Sequence, residues 1–103
     1  MSFPLSLLDS ITGFEWDAGN DTKNWRKHDV AQHEIEEVFF NCPLILQPEA
    51  VHSQREKRYA ALGRTDGARR LYVVFTFRGA KLRPIHAREM TPKERGKYAR
   101  AKR

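Results

Sequence analysis

Residues 58–90 read RYAALGRTDGARRLYVVFTFRGAKLRPIHAREM, and they spell a β-meander. Asp66-Gly67 has the composition of a primed hairpin turn, because glycine adopts positive φ freely and aspartate tolerates it. Gly79-Ala80, with glycine first, suits the II′ form of the same connection. Between the turns, Leu71–Phe77 is almost wholly apolar, β-branched or aromatic, the composition of a central strand buried on both faces. Two-residue loops at both turns set Leu62 opposite Leu71, Ala60 opposite Val73, Phe77 opposite Leu82, Val73 opposite His86 and Leu71 opposite Arg88. One face then carries Ala60, Leu62, Leu71, Val73, Phe75, Phe77 and Leu82, with Arg64, His86 and Arg88 at the end where the first turn closes. A one-residue bulge in either turn reverses such an assignment.

The chain of 103 residues is sized for one small domain, 1–103, with residues 1–10 as an N-terminal extension and 99–103 as a basic tail. Upstream of the meander, ITGFEWD at 11–17 alternates like a first strand. Ala18–His28 reads as a short helix capped by Asn20 or Asp21, with Lys23, Arg26 and Lys27 as its positive face and Trp25 inward. A second helix is expected at about 31–41, where Ile35, Val38 and Phe39 recur at helical spacing and Glu34, Glu36 and Glu37 face solvent. Asn41-Cys42-Pro43 stops it. Leu44–Leu46 is either a short strand or an extended packing segment. Downstream, Thr91-Pro92-Lys93-Glu94 has the spacing of a capping box with proline at the first helical position. The expected class is therefore α+β: an antiparallel sheet, a meander at its core, packed with two N-terminal helices and a C-terminal helix.

Net charge is +6, and the basic residues concentrate after position 54 while 31–37 is acidic. That balance points to an anionic partner, nucleic acid first. No apolar run reaches the length of a membrane span, and the start lacks a secretory signal, so a reduced cytoplasm is the expected compartment. Cys42 is the one cysteine and reads as a small buried or half-buried residue. The four histidines show no metal-ligand spacing, and no phosphate-binding glycine loop or nucleophile elbow occurs; no metal or cofactor is expected.

The chemistry on offer is cationic and aromatic. RNA cleavage by attack of its own 2′-oxygen suits it, because the nucleophile belongs to the substrate. The protein has to align that oxygen, move two protons and stabilise a pentavalent phosphorane. Arginine forks on a rigid sheet match phosphate oxygens, and His28, Tyr98 or a desolvated lysine can exchange protons. A non-catalytic basic module that binds nucleic acid carries the same letters.

Five stretches taken together resemble a known family: FEWD at 14–17, KNWRKHDV at 23–30, EEVFF at 36–40, RYAALGRTDGARRLYVVFTFRG at 58–79 and LRPIHAREMTPKERGKY at 82–98. The chain is similar to the BrnT ribonuclease toxins of bacterial type II toxin–antitoxin systems. The resemblance implies a RelE-like fold and a metal-independent endoribonuclease. It also implies neutralisation by a BrnA-type antitoxin with a ribbon-helix-helix part, through which the pair binds operator DNA and represses its own operon. On the matching positions it implies a catalytic group of Arg64, Arg88 and Tyr98, with Lys27 and His28 of the KH motif sharing the proton transfers. Glu89 would orient Arg88. Lys23, Arg26, Arg58, Arg78, Arg83, His86, Lys93 and Lys97 would hold the RNA. Two departures stand out: Asp29 replaces the glycine that usually follows KH, and Ala31 replaces a helix-capping serine, a role Asp29 itself is expected to take over.

Overall fold

A computed structural model describes residues 9–21, 28–49 and 56–101. Its elements are β1 (Gly13–Phe14), α1 (Gln32–Val38), β2 (Ile45–Pro48), β3 (Tyr59–Arg64), β4 (Arg70–Arg78), β5 (Lys81–Glu89) and α2 (Pro92–Ala101). The strands form one sheet in the order β1-β5-β4-β3-β2. The meander β3-β4-β5 is antiparallel and β2 adds to it antiparallel, but β1 runs parallel to β5. The sheet is therefore mixed, not antiparallel as expected.

The second correction concerns the helices. Among the described residues one short helix, α1, precedes the meander, in place of the two N-terminal helices of the expected RelE-like arrangement. Ala18–Asn20 form a turn, while residues 22–27 lie outside the described residues, and with them Lys23, Trp25, Arg26 and Lys27. Within the described part of that stretch, Asn20 has another use than the expected cap. Its side chain does not cap a helix; it accepts from the Asp17 amide at 2.8 Å and donates to the carbonyls of Glu15 and Pro84 at 3.1 and 2.8 Å. Asn20 is thereby buried and fastens the 15–20 loop onto β5.

The meander register also departs from two-residue loops. Arg64 pairs with Arg70, so the first connection spans residues 65–69, and Leu62 faces Tyr72 rather than Leu71. The second turn is tight, with Phe77 opposite Leu82, but a bulge between Val74 and Phe75 shifts the rest by one. Val73 then faces Ala87 and Tyr72 faces Arg88. Each slip of one residue moves side chains to the opposite face.

The outcome is a sheet with a separate apolar cluster on each side. One holds Ala61, Leu71, Val73, Phe75, Leu82 and Ala87 against Val30, Ile35 and Val38 of the α1 region. Phe14, Phe39, Tyr59 and Phe77 extend it, their rings meeting Phe75 or one another tilted or edge-on. Gly63 lets α1 sit this close, since a Cβ there would lie 2.6 Å from Val38 Cγ1. The smaller cluster, Leu62, Met90 and Tyr98 with Ile45 and Tyr72, joins α2 to the other face.

Local rules explain the helix ends. Thr91 and Glu94 form the anticipated reciprocal cap of α2: the Glu94 amide donates to Thr91 Oγ1 at 3.2 Å and the Thr91 amide to Glu94 Oε1 at 2.9 Å. At α1 the N-cap is Ala31, not Asp29. Alanine has no side-chain acceptor, so only the returning half of a cap exists, from the Ala31 amide to Glu34 Oε1 at 3.0 Å. Asp29 instead occupies the left-handed region at φ 56°, where a glycine would be unstrained. Among the described residues no helix is long and apolar enough to cross a membrane.

Candidate active site

Arg64 ends β3, Arg88 lies near the end of β5 and Tyr98 sits on α2. The register puts Arg64, His86 and Arg88 on one face, the face opposite Leu71, Val73 and Phe75. Tyr98 packs onto that same face through Leu62 and Met90.

Arg64 points at the segment between α1 and β2. Its Nε donates to the Cys42 carbonyl at 2.9 Å, and its own carbonyl accepts from Asn41 Nδ2 at 3.0 Å. Tyr98 reaches the same segment: its hydroxyl donates to the Pro43 carbonyl at 2.7 Å, and its side chain is only 2 % exposed. Burial pushes the phenol pKa upward, opposed by the nearby Arg64 charge. At neutral pH this phenol is a proton donor. Cys42 between them is exposed, contrary to the buried or half-buried placement expected.

Arg88 is held from two sides. Its Nη1 and Nη2 donate to the two Glu94 carboxylate oxygens at 2.8 and 3.1 Å, and its guanidinium lies 4.2 Å from the Tyr72 ring centroid. The bidentate bond holds the Glu94 carboxyl below its usual range and raises the Arg88 pKa, so the pair is ionised. Glu89, expected to orient Arg88, turns its carboxylate to Arg69 Nε at 2.9 Å; only its backbone carbonyl accepts from Arg88, at 3.1 Å.

Arg69 has no counterpart in the expected site. It donates to Glu89, to Glu34 Oε1 at 3.0 Å and to the carbonyls of Asp29 and His28 at 2.7 and 3.4 Å. It fastens the 65–69 loop to the start of α1 and the end of β5. His28 is exposed and stands beside this hub, with no described contact to Arg64, Arg88 or Tyr98. Nothing in the letters DGAR marks Arg69 for this role. Glu94, the actual partner of Arg88, left only an indirect signal: the capping box places it in the first turn of α2, shortly after the strand that carries Arg88.

The residues expected to hold RNA divide. Arg83 is largely buried, paired with Asp17 at 2.8 and 3.0 Å and with Glu15 at 3.0 Å. Arg78 approaches Glu15 and Glu56 at 3.7 and 3.4 Å. Arg58 and His86 are half-buried. Lys93 is exposed, and Lys97, also exposed, donates to Gln47 Oε1 at 2.7 Å. Among the described residues no group of three or more His, Cys, Asp or Glu side chains is placed to hold a metal ion.

No curated protein matches the chain. The family described as "Ribonuclease toxin, BrnT, of type II toxin-antitoxin system" matches residues 16–94, most of the chain, including Arg64 and Arg88 but not Tyr98, which lies just beyond. The chain belongs to the BrnT family of ribonuclease toxins of type II toxin–antitoxin systems.

Proposed function

We propose that the protein cleaves RNA endonucleolytically without a metal, by attack of a substrate 2′-oxygen on the adjacent phosphorus. The observation that carries this reading is the placement of Arg64, Arg88 and Tyr98 on one sheet face in a chain of this family. The P–O5′ bond breaks as the 2′-oxygen bond forms. Arg64 lies against the phosphorane; among the described residues no carboxylate pairs with it, so its charge is available to an anion. Arg88 joins when phosphate oxygens replace the Glu94 carboxylate in its fork. Tyr98, kept protonated by burial, gives its proton to the leaving 5′-oxygen. His28 or Lys27 takes the 2′-hydroxyl proton. In resting cells a BrnA-type, ribbon-helix-helix antitoxin covers this basic surface in the cytoplasm, and the pair represses its own operon by binding operator DNA.

The test is cleavage of a defined RNA in EDTA by purified protein, with and without the antitoxin. Cyclic-phosphate or 3′-phosphate ends, lost on adding antitoxin and lost in a folded Arg64→Ala, Arg88→Ala double variant, are expected. Parent-rate cleavage by that double variant refutes the site. One observation favours a second reading, a non-catalytic basic module: the Arg88 fork and the Tyr98 hydroxyl both already have partners within the protein. Tight antitoxin binding with no RNA cleavage under any condition would select it.

A further inference from the structure

We propose that the cleft between the 65–69 loop, the end of β5 and the first turns of α2 seats a backbone phosphate of the RNA strand, next to the bond being cut. It encloses about 170 Å³ and is lined by Ala68, Arg69, Arg70, Glu89, Met90 and Arg95. The inference rests on the RNA-cleaving reading and extends it to residues outside the expected RNA-binding set.

Three observations converge. First, Arg70 is the cross-strand partner of Arg64. Like charges directly opposite each other on a sheet are unfavourable, and an anion between or beside them removes that repulsion. Second, among the described residues neither Arg70 nor Arg95 has a carboxylate partner; the Arg95 Nη1 donates only to the Met90 carbonyl, at 3.0 Å. The arginines expected to bind RNA from β4 and β5, Arg78 and Arg83, are spent on Glu15, Glu56 and Asp17 instead. Third, the acidic side chain in the cleft, Glu89, is already offset by Arg69 at 2.9 Å. Two planar forks with unclaimed donors at a cleft mouth match phosphate oxygens. The Arg64 pairing puts Arg70, which lines this cleft, on the strand next to Arg64 of the proposed reaction centre, within reach of the same RNA strand.

The experiment measures binding of a short 2′-O-methyl RNA, which cannot be cleaved, to the full chain by fluorescence anisotropy across a salt series. Arg70→Gln should weaken binding several-fold and flatten the log–log salt slope by about 0.7, one single-strand phosphate contact. Adding Arg95→Gln should weaken it further, and Arg70→Lys should restore the slope. Arg70 makes no described side-chain bond, so its substitution leaves the fold in place. Parent binding with an unchanged slope in both Gln variants overturns the subsite while leaving the RNA-cleaving reading intact. Parent protein that binds no RNA overturns both. Weakened binding of the antitoxin with RNA binding unaltered overturns the subsite in favour of a protein partner.

Discussion

Glu94 joins three structures that are usually separate: the cap of α2, the fork of Arg88 and the edge of the proposed reaction centre. Glu94→Gln keeps a carbonyl oxygen for the Thr91 amide but removes the charge from Arg88. The bond it weakens is bidentate and about a quarter to a third exposed, with side-chain exposures of 32 % for Arg88 and 22 % for Glu94. Solvent screening therefore limits the loss to about 0.5–1 kcal/mol. Glu94→Ala loses the cap as well, another ~1 kcal/mol, and leaves Arg88 without its acceptor. Together these should lower stability by about 1.5–2 kcal/mol, or roughly 6–15 °C in Tm for a domain of this size. The Glu94 pKa is depressed in the folded protein, so its contribution is fully present above the ordinary carboxylate pKa near 4.5 and is lost as pH falls through the lower folded value. Urea unfolding of parent and Glu94→Gln at pH 7 and at pH 3 measures both effects. The difference between the two proteins should shrink at pH 3. A difference that is absent at pH 7, or that is as large at pH 3, refutes the assignment of Glu94 as the ionised partner of Arg88.

Gly63→Ala should cost about 1–3 kcal/mol, because its Cβ would meet Val38 Cγ1 at 2.6 Å and the Val38 carbonyl at 3.1 Å; denaturant midpoints check this. Asp29→Gly should change stability by less than about 0.5 kcal/mol, relief of the left-handed strain offsetting the added chain entropy, whereas Asp29→Val should cost more than about 1 kcal/mol. Arg83→Gln should lower Tm by leaving Asp17 and Glu15 without their buried partner, yet leave the salt slope of RNA binding as in the parent; a flattened slope would show that Arg83 reaches the RNA.

The meander, the cap of α2 and the tight turn at Gly79-Ala80 were legible because each depends on local chemistry. The register was not. Asp66-Gly67 looks like the centre of a two-residue hairpin, but the loop runs from Thr65 to Arg69, closed by the Thr65 amide donating to the Arg69 carbonyl and by Thr65 Oγ1 accepting from the Arg69 amide. That closure depends on Arg69 finding Glu34, Glu89 and two carbonyls far away in sequence. The parallel strand was hidden for the same reason: Gly13-Phe14 reads as a strand, but nothing local says it will lie along β5 in the same direction. At the site, the types and the shared face of Arg64 and Arg88 could be read, while their acceptors, Cys42, Glu94 and the Pro43 carbonyl beneath Tyr98, belong to tertiary structure.

The two outer strands are unlike the meander they flank. β1 is two residues long, and β2 is four and ends in Pro48, which has no amide to offer. A sheet built from such a meander would otherwise expose rows of unpaired backbone groups to the next copy of itself. Here β2 covers Tyr59–Leu62 of β3, whereas β1 covers only Lys81 and Leu82 of β5. Runaway pairing of copies is discouraged at the β2 border, where the last residue of the strand has no amide to give a neighbour.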